Sequence, residues 1–186
     1  MGLLILGLVV FFAIHLLPSR PALHERLIAR LGRKQYRLFF SLVAVIGLVL
    51  IVVGKSRAPF QSLYLPPAWG RHATMLLVLI AMVLLWASQM PTNIKRLTPH
   101  PMLWAVIAWG SGHLLANGDV ASVLLFGSFV LFAIFDIVSA NRRGASRATE
   151  SVPFRRDILV VAAGVGLYIV FLGLHQTLFG VPVLRF

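Results

Sequence analysis

Cysteine is absent from the 186 residues, and acidic side chains number five against 17 lysines and arginines. The first absence excludes disulfides, thiolate metal sites and cysteine nucleophiles, and leaves the redox compartment open. The second leaves few carboxylates for chemistry. Few carboxylates lie in or beside apolar segments, Asp119 and Asp136 among them, and no HExxH-type pair exists, so a hard-cation or zinc hydrolase site fits poorly. Long polar stretches are scarce as well: 59% of residues are apolar and the mean hydropathy is +0.91, outside the soluble globular range. No nucleophile elbow surrounds Ser41, Ser88, Ser111, Ser122 or Ser128, which argues against a catalytic triad; buried hydroxyls in membrane helices usually bond a backbone carbonyl.

What is present is apolar sequence in span-length pieces. A crossing helix takes roughly 20 apolar residues, and six segments qualify, about 2–17, 37–54, 69–89, 101–117, 119–140 and 157–180. The expected fold is an all-α, polytopic membrane protein, a single domain over 1–186 built as a six-helix bundle. The first segment reads as a retained helix, because it has no basic leader and no small-x-small site precedes Arg20.

The formal charge of +12 does not read as a nucleic-acid footprint, since the bases fall in short segments between spans where anionic lipid and the positive-inside rule account for them. Loops one, three and five hold 13 of the 17 bases and the other connections with the tail hold four, which places those loops inside and both termini outside. In the first loop, Ser19 and Pro21 mark a helix start and Gly32 a stop, while Leu23, Leu27 and Leu31 recur every four residues against Glu25, Arg26, Arg30 and Arg33; this predicts a short interfacial amphipathic helix. Residues 58–69, with three prolines and three aromatics, suit an irregular outer loop in the aromatic belt. The polar stretch 142–156 is expected to be a mobile cytoplasmic loop. Asn117-Gly118-Asp119 reads as a tight turn whose aspartate caps the next helix, and Asp136 is placed to pair with Arg142, Arg143 or a first-loop base. Gly110-x-Gly112, Gly164-x-Gly166 and Gly173 suit close helix approach rather than phosphate binding, because no strand precedes them.

Six histidines in so apolar a chain carry the chemistry, since an ionisable group at membrane depth is costly to keep. His15 closes span one, His100 opens span four, His113 and His175 lie near the outer ends of spans four and six, and His72 begins span three. His24 falls on the interfacial helix. Haem is the metal group best suited to them: it is apolar, asks for one or two imidazoles, and can turn its propionates to arginines at an interface.

The sequences Phe12-Ala13-Ile14-His15-Leu16-Leu17-Pro18-Ser19, His100-Pro101-Met102 and His113-Leu114-Leu115-Ala116-Asn117-Gly118-Asp119 together resemble the NnrU family over roughly residues 1–140. The resemblance implies a multi-pass protein of the bacterial inner membrane, both termini periplasmic, linked with denitrification and nitric oxide metabolism. The same family includes zeta-carotene isomerase, a haem-b enzyme acting on a polyene, and its two ligating histidines correspond to His15 and His113, with His100 the next candidate ligand. Depth sets a condition on that pair. By helix rise His15 lies about 20 Å below the outer surface and His113 about 6 Å, so depth alone would pair His15 with His100, or His113 with His72 or His175. The His-Pro motif also faintly resembles membrane methyltransferases of the isoprenylcysteine type, although Pro99 stands where those have arginine. The readings carried forward are a histidine-ligated haem-b protein in redox or nitric-oxide-linked metabolism with a membrane redox complex as partner, a haem-dependent isomerase of a lipid-soluble polyene, and a cofactor-free assembly protein whose histidines meet only backbone or water.

Overall fold

The computed structural model describes residues 1–183. Within them the chain forms eight helices: α1 (Gly2–His15), α2 (Pro21–Leu31), α3 (Arg33–Ser56), α4 (Gly70–Gln89), α5 (Ile94–Leu97), α6 (Pro101–Ala116), α7 (Val120–Arg142) and α8 (Arg155–Phe179). The six expected apolar helices are present, but by length and composition four of them, α3, α4, α7 and α8, can cross a membrane. α1 and α6 are apolar yet only 14 and 16 residues long, ended by Pro18 on one side and begun by Pro101 on the other.

The apolar helices run up and down between two ends, one holding Met1, Ser56, Gly70 and Asp119, the other holding most of the bases. α1 lies along α3, α4 lies between α6 and α8, and α7 rests on α6 while touching α1 and α3 more lightly. Hydrocarbon gives no hydrophobic drive for helices to associate, so small residues that let backbones approach supply the contact. A Cβ on Gly7 would sit 2.6 Å from the backbone nitrogen of Ile51, and one on Gly164 would sit 2.6 Å from Cα of Val83. Gly110 and Gly112 are likewise closed by neighbours, whereas Gly166 and Gly173 face open space.

α2 forms as expected, with Pro21 at its first position and no buried residue. Gly32, at φ +77°, ends α2 and at once precedes α3. Only glycine adopts that conformation without strain, so the chain turns there with no connecting loop. α3 begins at Arg33, four residues before the apolar window, because Arg33, Lys34 and Gln35 are good helix formers that propagate the helix out of the apolar layer. The short α5 was not legible beforehand.

At the end holding Met1, Asp119 caps α7 by accepting from the Ser122 backbone N–H at 3.0 Å, as its position in the turn predicted. Its carboxylate also takes the Ser122 hydroxyl and a 2.8 Å ion pair from Lys55 at the end of α3. The 58–69 loop is drawn into the same node. Leu63 and Tyr64 N–H groups donate to the Gly118 carbonyl at 2.8 and 3.1 Å, and Val120 N–H to Gln61 at 2.9 Å. Asp119→Ala should therefore destabilise the protein by about 2–4 kcal/mol, losing the cap and stranding Lys55. Asp119→Asn should cost less, because asparagine still caps. Thermal unfolding of the purified variants in detergent checks the order, and equal stabilities would remove this node from the account.

Candidate functional site: two imidazoles on one aromatic seam

His15 is the last residue of α1. Its ring stacks on Phe11 with centroids 4.0 Å apart and meets the edges of Phe40 and Phe132 at 5.1 and 6.1 Å. His113, in the last turn of α6, stacks on Phe126 at 4.5 Å and lies beside Trp109 at 5.3 Å. The two sites share one hydrogen-bond design. Nδ1 of His15 is 2.7 Å from the Phe11 carbonyl oxygen, and Nδ1 of His113 is 2.8 Å from that of Trp109. A carbonyl can only accept, so Nδ1 carries the hydrogen in both rings and Nε2 keeps its lone pair.

α7 supplies the wall between them. Phe126, Phe129 and Phe132 follow one another at every third position, and Phe129 packs against Phe11 at 5.2 Å, Phe12 at 5.0 Å and Trp109 at 5.6 Å. His113 meets α7 at Phe126 and His15 meets it at Phe132, levels six residues or about 9 Å apart by helix rise. Cβ atoms tilt towards the N-terminus of their own helix, and α1 and α6 run in opposite directions, so His15 leans away from the basic end and His113 leans towards it. That lean is already contained in the ring contacts with α7, whose interval of about 9 Å compares with about 14 Å counted from the ends of the spans.

The remaining histidines lie elsewhere. His100, 9% exposed, caps the start of α6, and its Nε2 is 2.7 Å from Oδ1 of Asn141, nine residues or about 14 Å along α7 from Phe132. His175 Nδ1 donates to the Val181 carbonyl at 2.8 Å, His72 is exposed, and His24 of α2 lies against Tyr36 at 5.1 Å. Among the described residues no three or more of His, Asp and Glu gather as metal ligands. The donor set that a planar metal group would meet here is two imidazoles in aromatic surroundings.

At the basic end, Asp136 pairs with Arg143 at 3.6 Å, one of its foreseen partners, and also accepts from the Ser19 hydroxyl at 3.4 Å. Asp157 accepts from Thr92, from the Asn93 N–H at 2.8 Å and from the Asn93 side chain at 2.6 Å. The exposed 142–154 segment crosses α5, with Ala148 N–H donating to the Lys95 carbonyl at 3.1 Å and Val152 exchanging bonds with the Asn93 side chain. The Phe126-x-x-Phe129-x-x-Phe132 run was readable as a repeat of three. Its role as the wall between two histidines was not, because that depends on which helices flank α7.

The family model of NnrU protein matches residues 3–183, nearly the whole described chain, and the chain belongs to that family. No curated protein and no solved structure matches it.

In protein free of any bound group, neutral His15 and His113 should both be the Nδ1–H tautomer, and neutral His100 the Nε2–H tautomer because Asn141 Oδ1 accepts. Histidine-labelled NMR reads this directly. A bare Nδ1 at His15 or His113 would overturn the shared design.

Proposed function

We propose that this NnrU-family chain is an inner-membrane protein of six crossings that ligates haem b through His15 and His113 and serves redox or nitric-oxide-linked metabolism. The observation that carries the reading is the matched pair of imidazoles, each with Nδ1–H fixed by a carbonyl and Nε2 left for a metal. Metal-binding histidines almost always donate their other ring hydrogen in this way, which sets tautomer and orientation before the metal arrives. A cofactor-free assembly protein would also show histidines bonded to backbone, so the ligand role is favoured by a second observation, that both rings contact the same aromatic run of α7. Haem iron, when bound, supplies one-electron and gas-binding chemistry. The chain's own residues orient the two ligands through Phe11 and Trp109 and exclude water with the α7 aromatics. A membrane redox complex is the partner this role requires. The aromatic contacts around both imidazoles support a second reading, isomerisation of a lipid-soluble polyene beside the same site.

Six crossings follow if α1 and α6, about 21 and 24 Å long by helix rise, cross beside their longer partners α3 and α4. The shortfall from ~30 Å of hydrocarbon is of the size that local bilayer thinning accommodates. With 13 of the 17 bases at one end, that end faces the cytoplasm and both termini face outward. A reporter fused after Phe186 should be active only outside the cytoplasm, and cytoplasmic activity would reverse the orientation.

The absorption spectrum tests the ligation. The purified protein, or protein given haemin, should show a Soret band with sharp reduced α and β bands. His15→Ala and His113→Ala should each convert a six-coordinate spectrum to a five-coordinate one, the double variant should be haem-free, and His24→Ala should change nothing. A folded, colourless protein that takes up no haemin would leave the assembly reading, and unaltered spectra in both single variants would remove these two residues as ligands. Conversion of an added cis-polyene by the haem-loaded protein would favour the isomerase reading.

A further inference from the structure

Beyond the aromatic seam, the basic end carries a second built feature that the haem reading does not use. The 142–154 segment leaves α7 through Gly144, at φ +88°, and is tied across α5 by the Ala148–Lys95 backbone bond of 3.1 Å. Between this strap, the start of α6 and the end of α7 lies a cleft of about 290 Å³, bounded by Leu97, Thr98, His100, Trp104, Asn141 and Arg147 among others. Its polar side is rigid. The His100 backbone N–H donates to the Thr98 hydroxyl at 3.1 Å, and the His100 ring is held by Asn141 at 2.7 Å.

Three observations define what the cleft would take. No acidic side chain lines it, and the ion pairs among the described residues are Lys55 with Asp119 and Arg143 with Asp136; Arg147 has no carboxylate partner. The neighbouring cleft, which shares Leu97 and is bounded by Arg96, does contain Asp157, but that carboxylate is occupied by Thr92 and Asn93. The other side of the cleft is apolar and open, with Leu97 72% and Trp104 45% exposed. A free anion would satisfy Arg147 and leave those two side chains uncovered, and a neutral lipid would do the reverse. An occupant with an anionic head and a hydrocarbon tail satisfies both, and tryptophan beside a basic pocket is the usual setting for such a head at the membrane interface.

We propose that this cleft is a binding site for an anionic phospholipid, its phosphate held by Arg147 beside Thr98 and His100 and its acyl chain lying over Leu97 and Trp104. The seated lipid would bridge strap, α6 and α7, holding the exposed segment against the bundle.

The test is native mass spectrometry of the full-length protein in detergent, titrated with phosphatidylglycerol, phosphatidylcholine or inorganic phosphate. The unaltered chain should take one phosphatidylglycerol in preference to phosphatidylcholine. Arg147→Gln should weaken that binding about tenfold or more, the loss expected for one charge-assisted contact. Trp104→Ala should weaken it too, whereas Lys34→Gln, which removes the same charge at the same end of the molecule, should leave it unchanged. Both Arg147 and Lys34 are exposed, so these two variants are expected to fold. Equal binding of phosphatidylcholine, wild-type affinity in Arg147→Gln or in Trp104→Ala, or an equal loss in Lys34→Gln would overturn the proposal. Full displacement of the lipid by inorganic phosphate would replace it with a free-anion site.

Discussion

Hydrocarbon offers no hydrogen-bond partner, and that constraint places the polar groups of this bundle. Each of the three aspartates is surrounded by donors: Asp119 by Lys55 and Ser122, Asp136 by Ser19 and Arg143, Asp157 by Thr92 and Asn93. The hydroxyls of Thr74, Ser88 and Ser128 turn back onto carbonyls of their own helices. Tyr36 Oη and Trp86 Nε1 are the departures among the described residues, buried with no protein partner, a cost of about 1–3 kcal/mol for each. The aspartates do more than satisfy themselves. Asp119 joins α3, α7 and the 58–69 loop at one end, and Asp157 joins α8 to the α4–α5 connection at the other, so the polar residues set which helix ends meet.

The same constraint shapes the histidines. An imidazole at the end of an apolar helix must give its hydrogen to something, and the carbonyl four residues back is the acceptor always within reach. That local bond would serve a purely structural histidine equally well. What it creates, at His15 and again at His113, is a ring with fixed tautomer and a lone pair facing away from its own helix. Helix direction then adds what a single bond cannot. Because α1 and α6 run in opposite directions, the backward tilt of side chains leans two residues, each near the C-terminal end of its own helix, towards one another along α7.

The basic end is organised by a different balance. Thirteen bases gather there with few acids, and two of those acids, Asp136 and Asp157, are already hydrogen-bonded or paired. Arg147 on the strap and Arg96 on α5 have no ion-pair partner among the described residues, which is the basis on which a lipid is proposed for the surface cleft with one apolar wall. Backbone bonds from the strap to α5 keep that wall in place despite the polar composition of the segment.

Composition and periodicity determined the all-helical membrane character, the amphipathic α2 between Pro21 and Gly32, the Asp119 cap and the placing of bases at one end, because each depends on residues close in sequence or on the solvent that a face must meet. The family was legible too, from three short motifs around His15, His100 and His113. Other features were decided by tertiary structure. Whether α1 and α6 belong beside α3 and α4 depends on backbone approach at glycines such as Gly7 and Gly112, whereas Gly166 and Gly173, equally small residues on an apolar helix, face nothing. Depth counted along each span separated His15 from His113, and their contacts with α7, at Phe132 and Phe126, are also six residues apart. The Phe126, Phe129 and Phe132 wall and the Asn141–His100 bond join residues many positions apart, and the packing of α7 between the α1–α3 pair and α6 brings them into contact, while the bonds of Asn93 depend on the strap and α8 meeting the α4–α5 connection.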